Sequence, residues 1–274
     1  MNTLKSYAKV NLGLWVIGKR PDGYHDIVSY VHKVSLYDTI TIKPYIKLRV
    51  RTSNPFIPEN EGNIVYKAVR AFEDFTGLNA DFDIFIQKRI PVGGGLGGGS
   101  SNAAVVLKYI NEYFDNPISE KDLLKLASYV GADVPLFFKN GLVKISGKGE
   151  IIEETNEKYS EELIIIYPNI QVETASIYKK VSFDMLTNPN DLNIINSLLR
   201  DVKSLISASE NTLGNIAKEE FPVIKEVENT LKILGYEPFI TGSGSSVCAL
   251  GTVDKNLENI CKLKNWQLHK VRFL

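Results

Sequence analysis

A chain of 274 residues with 44% hydrophobic and 23% charged residues can bury a core, which excludes the collagen-like and disordered classes and suggests two domains of modest size. The 32 basic and 32 acidic side chains cancel, leaving no global field for a nucleic-acid backbone or an anionic membrane surface. Cys248 and Cys261 are too few for a disulfide framework, no Cys/His cluster has zinc spacing, and no apolar run suits a signal peptide or a bilayer span, so a cytoplasmic protein is expected.

Residues 4 to 17 alternate, with Ala8, Val10, Leu12, Leu14 and Val16 on one parity and Lys9, Asn11, Gly13 and Trp15 on the other. That is the period of a strand, and it puts Lys9 and Asn11 on a shared face. Pro21-Asp22-Gly23 marks a turn, and Ile27 to Leu36 and Thr39 to Ile42 read as further strands. From Asn63 the period changes: Ile64, Ala68, Phe72 and Phe75 predict a helix that Gly77 stops. Alternation returns at Phe82, Ile84 and Ile86. A glycine-rich loop follows, then Ala103, Leu107 and Ile110 predict a second helix, and Ser119-x-x-Asp122 opens a third that runs through Val130.

The acidic stretch Glu153 to Glu162 separates this half from a second one, and the domain boundary is placed there, giving 1–155 and 156–274. Beyond it the pattern predicts a strand at Leu163 to Tyr167 and helices near Thr174 to Lys180, Asp191 to Ile206 and Val223 to Leu234. Strands around Phe239 and Val247 and a final helix and strand complete the chain. Strands interleaved with helices predict an α/β or α+β protein made of two αβ halves.

The stretch with most chemistry is Pro91-Val92-Gly93-Gly94-Gly95-Leu96-Gly97-Gly98-Gly99-Ser100-Ser101-Asn102-Ala103-Ala104. It follows a predicted strand and runs into a predicted helix. Six glycines in the seven positions from 93 to 99 remove the Cβ atoms that keep a backbone away from a ligand, and they permit the positive φ angles that turn successive N–H groups inward. The helix start adds unpaired N–H groups and a positive dipole end, so a phosphate chain can be held largely by backbone, with Ser100 and Ser101 adding hydroxyls. No Gly-Lys-Ser/Thr follows, which excludes a Walker A loop, and the spacing does not fit a dinucleotide fingerprint.

Other residues are ambiguous by themselves. Asp133, between Gly131 and Pro135, reads as a turn or capping aspartate. Lys9 reads as a strand lysine. Gly242-Ser243-Gly244-Ser245-Ser246 suits a hairpin turn and a second anion nest equally. Tyr24, His25 and Tyr30 follow the first turn, and most aromatic residues in a chain of this size are core.

The glycine loop resembles the phosphate loop of the GHMP kinases, whose general form is Pro-x-x-x-Gly-Leu-Gly-Ser-Ser-x-Ala. Four further stretches match in family order: Ala8-Lys9-Val10-Asn11-Leu12, Arg20-Pro21-Asp22-Gly23-Tyr24-His25, Gly131-Ala132-Asp133-Val134-Pro135, and Thr241-Gly242-Ser243-Gly244-Ser245-Ser246. The extra glycines before the serines are similar to those of the branch whose acceptor is a cytidine diphosphate sugar-alcohol; homoserine and mevalonate kinases are the alternative branches. The resemblance implies an α+β fold of two domains, an N-terminal ATP-binding one and a C-terminal ferredoxin-like one, with the active site in the cleft between them. It implies γ-phosphoryl transfer from ATP to an alcohol, with Asp133 as general base and Lys9 beside it.

The resemblance also gives Pro91 to Ser101 to ATP. To the acceptor it gives Asn11, Tyr24, His25, Tyr30, Tyr178, Gly242, Ser243 and Gly244. In this scheme His25 reads the cytosine edge while Tyr24 and Tyr178 stack on it, Tyr178 entering through the family's Pro-x-x-x-x-x-Thr pattern, here Pro168 to Thr174. Magnesium is implied on the ATP phosphates, with no dedicated protein metal site, and neither a nucleic acid nor a membrane is implied as partner. One departure is that the acidic residue the family carries near Asn211-Thr212-Leu213-Gly214 is absent, so no role is carried over to that segment.

Overall fold

The computed structural model describes residues 1–274. Two long strands open it, β1 (Asn2–Lys19) and β2 (His25–Pro44), paired with each other across the turn at Pro21-Asp22-Gly23. The central part of β1 has no solvent face: Ala8, Val10, Leu12, Leu14 and Val16 are buried, and so are Lys9, Asn11 and Trp15 on the other parity. Where the sequence suggests two strands with a break before Thr39, the structure has one, because Tyr37 and Asp38 stay extended.

The remaining elements are β3 (Arg49–Thr52), α1 (Ile64–Thr76), β4 (Phe82–Gln87), α2 (Gly98–Tyr113), α3 (Glu120–Val130), β5 (Leu142–Ser146), β6 (Ile151–Glu154) and β7 (Glu162–Tyr167). Then come α4 (Thr174–Tyr178), α5 (Asn193–Ser197), α6 (Val202–Ala208), α7 (Thr212–Glu220), α8 (Pro222–Ile233), β8 (Pro238–Ile240), β9 (Val247–Leu250), α9 (Lys255–Leu263) and β10 (Gln267–Arg272). The mixture is α+β.

These elements form two compact units interleaved along the chain. The first comprises Met1–Ala8, Leu36–Ile90 and Gly97–Lys139, and the second Lys9–Ser35, Pro91–Leu96 and Asn140–Leu274. β1 and β2 each contribute to both units, dividing after Ala8 and after Ser35.

In the first unit the second half of β2 pairs antiparallel with β4, from Thr39↔Gln87 to Pro44↔Phe82, and β3 pairs parallel with β4. One face of this sheet, Ile40, Ile42, Val50, Phe82 and Ile84, packs with Phe72 of α1 and Leu107 and Ile110 of α2. Truncating a buried Phe72 to Ala would cost roughly 3–5 kcal/mol. The helix limits follow local chemistry. Asn63 caps α1 by accepting from Val65 N, Gly77 ends it at φ 71°, and Ser119 caps α3 by accepting from Asp122 N.

In the second unit the first half of β2 pairs with β5, β5 pairs with β6, and an antiparallel sheet runs β10-β7-β9-β8. Ile164, Ile166, Val247 and Ala249 of that sheet pack with Leu213, Ile224, Val227, Leu231 and Leu257 from α7, α8 and α9. The single helix expected over Asp191 to Ile206 is instead a 3₁₀ turn (Pro189–Leu192), α5 and α6. Asp201 explains the break: its carboxylate accepts from Lys203 N and Ser204 N and so starts a new helix. Helix α7 is absent from the periodic reading, since Gly214 interrupts its first turn. No helix is long and apolar enough to cross a membrane. Both cysteines are buried and free, and burial pushes their thiols up, Cys261 to about 11.

Candidate active site

The glycine loop alternates its backbone hand. Gly93, Gly95 and Gly97 lie at φ 69°, 76° and 67°, and Gly97 caps α2, which begins at Gly98. Gly95 admits no side chain, because a Cβ there would lie 2.3 Å from Thr241 O and 3.0 Å from Gly244 O. Five consecutive carbonyls are held by donors. Val92 O accepts from Tyr167 Oη at 2.9 Å, Gly93 O from Val172 N at 3.1 Å, and Gly94 O from Ser246 N at 3.3 Å. Gly95 O accepts from Lys9 Nζ at 2.8 Å and Leu96 O from Lys9 N at 3.0 Å. The N–H groups of Gly93 to Gly97 have no acceptor within the chain. With every carbonyl turned to the protein, the loop offers donors alone to whatever it faces, which is the definition of an anion nest.

Of the two serines at the helix start, Ser101 is buried and accepts from Ser6 Oγ at 2.7 Å. Ser100 is half-buried, with its hydroxyl unengaged by the chain, so it is the serine available to a ligand. Asn102, next along α2, joins Ser6, Asp38 and Lys88 in a buried polar cluster. No local pattern in the sequence links these four residues.

Lys9 is 5% exposed, and its ammonium donates to Asn11 Oδ1 at 2.6 Å as well as to Gly95 O. The shared face that alternation predicts for Lys9 and Asn11 is thus realised as a direct bond. Asn11 donates in turn from Nδ2 to Ser29 Oγ at 2.8 Å and from its backbone N to Thr241 Oγ1 at 2.9 Å. Its amide therefore orients the lysine, and its backbone ties β1 to the second loop. Asp133 is half-buried in the turn between α3 and the 3₁₀ helix Pro135–Phe138.

The second loop, Thr241 to Ser246, joins β8 to β9, with Gly242 at φ 59° and Gly244 at φ 78°. Asn211 clamps it, donating from Nδ2 to Ile240 O at 2.6 Å and Gly242 O at 2.8 Å while Oδ1 accepts from Gly214 N. One asparagine thus caps α7 and shapes the loop, a role the segment's departure from the family pattern had hidden. Ser243 Oγ meets Thr174 Oγ1 at 2.8 Å, at the start of α4.

Four aromatic side chains divide three ways. His25 and Tyr178 stack, with centroids 5.4 Å apart and planes 21° from parallel. His25 is 7% exposed and its Nε2 is buried without a partner, an expensive state unless a ligand supplies the hydrogen bond. Burial, and secondarily the charge of Lys19, lowers its pKa, which favours the neutral ring. Tyr24 is 59% exposed and lies under Lys148 Nζ, 4.8 Å from the ring centroid. Tyr30 is set apart. It is 1% exposed, edge-on to Trp15, with its hydroxyl on Asn196 Oδ1 and its pKa pushed up to about 12 mainly by burial. It is packed as a core residue.

Residues 63–141 match the family model of the GHMP kinases N terminal domain. The chain is 52% identical over 98% of both chains to the 4-diphosphocytidyl-2-C-methyl-D-erythritol kinase of Persephonella marina. It is 47% identical over 99% of both to the protein of that name from a Sulfurihydrogenibium species. The chain belongs to the GHMP kinase family. A crystal structure of 4-(cytidine 5'-diphospho)-2C-methyl-D-erythritol kinase superposes with a TM-score of 0.80 at 27% identity, covering 99% of each chain. The family segment 63–141 contains the loop, all of α2 and Asp133. No three His, Cys, Asp or Glu side chains come together in the structure.

Proposed function

We propose that this chain transfers the γ-phosphoryl group of ATP to the 2-hydroxyl of 4-diphosphocytidyl-2-C-methyl-D-erythritol, giving the 2-phosphate and ADP. The observation that carries the phosphoryl chemistry is the loop Val92 to Leu96, with its carbonyls tied to the protein and its N–H groups left for an anion. Relatives at 52% and 47% identity over nearly the whole chain supply the acceptor.

In this reading the loop from Pro91 to Ser100 cradles the ATP phosphates. Phosphoryl transfer of this kind is loose and needs little covalent help, so catalysis is mainly positioning and charge stabilisation. Asp133 takes the proton of the acceptor hydroxyl. Lys9 keeps the loop in place through Gly95 and offsets developing charge, with Asn11 orienting it. Neutral His25 reads the cytosine edge through Nε2, Tyr178 supports that ring from one face, and Tyr24 covers the exposed side. Gly242, Ser243 and Gly244 hold the acceptor's phosphate side. The half-buried Ser100 hydroxyl would help to hold a magnesium ion brought in on the ATP oxygens, and that ion would supply charge neutralisation of the phosphates. The reaction is cytoplasmic and its partners are small molecules.

The test is to incubate the protein with ATP and magnesium and, separately, the cytidyl acceptor, homoserine and mevalonate. ADP release and product mass are followed. A phosphorylated cytidyl product alone is expected; turnover of homoserine or mevalonate in its place would overturn the acceptor assignment.

A further inference from the structure

A buried carboxylate that the proposed chemistry does not use sits at both ends of the glycine loop. Asp38, in β2, is fully buried. Its Oδ1 accepts from Arg89 N at 2.7 Å and Ile90 N at 2.9 Å, the two residues that lead directly into Pro91. Its Oδ2 pairs with the Lys88 ammonium and accepts from Asn102 Nδ2 at 3.0 Å, in the first turns of the helix that the loop enters. Asn102 Nδ2 also reaches Ser6 Oγ at 2.9 Å, and Ser6 donates to Ser101. Four donors therefore satisfy one carboxylate, which would otherwise be costly to bury.

This arrangement matters because of what lies between the anchors. A glycine-rich loop has no side chains with which to hold itself, and glycine has the widest backbone freedom of any residue. Its shape is set from outside, along its length by the donors to Val92 through Leu96 and at its ends by Asp38. We propose that Asp38 is a positioning residue for phosphoryl transfer, fixing the entry and exit of the phosphate loop on one carboxylate without touching the nucleotide. The proposal rests on the loop's being the ATP site, as argued above.

The experiment compares wild-type protein with Asp38→Asn, Asn102→Ala, Ser6→Ala and the core variant Phe72→Leu. It measures KM for ATP, KM for the cytidyl acceptor, kcat, ATP affinity by calorimetry and Tm. Asparagine keeps the shape of Asp38 but turns an amide toward Lys88 and Asn102. Asp38→Asn is expected to raise KM for ATP and to lower kcat/KM for ATP by about a hundredfold, the order of what a misplacement of about 1 Å costs in rate, with acceptor KM unchanged. Asn102→Ala and Ser6→Ala should move the same parameter less, while Phe72→Leu lowers Tm and leaves KM for ATP where it was. An Asp38→Asn protein with reduced Tm and unshifted ATP parameters overturns the proposal. If that variant does not fold, unshifted ATP parameters in both Asn102→Ala and Ser6→Ala overturn it equally. Wild-type protein that neither binds nor turns over ATP removes the functional reading and this proposal together, whereas normal wild-type turnover with an unshifted variant removes this proposal alone.

Discussion

The glycine loop and the His25–Tyr178 pair are built by opposite means. The loop is one continuous stretch whose free groups are backbone N–H, and its carbonyls are held so that only donors remain. The aromatic pair comes from opposite halves of the chain and works through side chains, with Nε2 of His25 buried and unpartnered. A group that acts through backbone must be made of residues that free the backbone, so its purpose shows in its composition. A pair that acts through side chains exists only once the fold has brought it together.

The largest expected effects sit where the two regions would cooperate in chemistry. Asp133→Asn should lower kcat by about 10²–10⁴-fold, the usual weight of general-base catalysis, while calorimetry still detects ATP binding. Equal turnover would remove Asp133 from the mechanism. Lys9→Ala should fall as far in kcat and also raise KM for ATP, because Gly95 O loses its donor; a kcat effect without a KM effect would separate the charge role from the loop role.

Next come substitutions that affect only the loop. Gly95→Ala and Gly235→Ala both place alanine at positive φ, 76° and 84°, a strain of about 1–2 kcal/mol. A Cβ at Gly235 meets nothing within 4 Å, whereas one at Gly95 meets Thr241 O at 2.3 Å. Both should lose Tm, and only Gly95→Ala should lose ATP affinity. Equal affinities would mean that the close approach at Gly95 does not shape the site.

Effects confined to the aromatic pair should be smaller. His25→Ala is expected to raise KM for the cytidyl acceptor by about ten- to hundredfold, equivalent to a lost buried hydrogen bond of roughly 1–3 kcal/mol, with KM for ATP unchanged. Tyr178→Ala should cost severalfold, in line with about 0.5–1.5 kcal/mol for an aromatic pair. The smallest effect is the pH response. Because burial and Lys19 depress the His25 pKa from 6.5, the neutral ring persists as pH falls through 6.5. The acceptor KM should therefore stay flat there and rise only at lower pH. The unfolded chain takes up that proton first, so the stability His25 contributes is present above 6.5 and declines as pH drops below it. A KM that rises already at 6.5 or above would contradict the depressed pKa.

Much of the architecture is legible in the sequence because its signals are local. Asn63, Gly77 and Ser119 limit helices through bonds to residues at most four positions away, and the parity of β1 puts Lys9 beside Asn11. The loop was readable for the same reason. Where a competing local bond exists, as at Asp201, periodicity over Asp191 to Ile206 misleads, and where glycine interrupts the pattern, as in α7, a helix passes unseen.

What the sequence by itself determined is therefore the set of elements and the glycine-rich backbone of the loop, since dihedral preference, capping and period act among near neighbours. Only the tertiary structure decided that Tyr30 is core while His25 keeps an unpartnered nitrogen, and that Ser101 turns to Ser6 while Ser100 does not. It also decided that Asp38 holds both ends of the loop. Burial and long-range hydrogen bonds depend on which distant segments meet, and no period or cap in one segment records its partner in another.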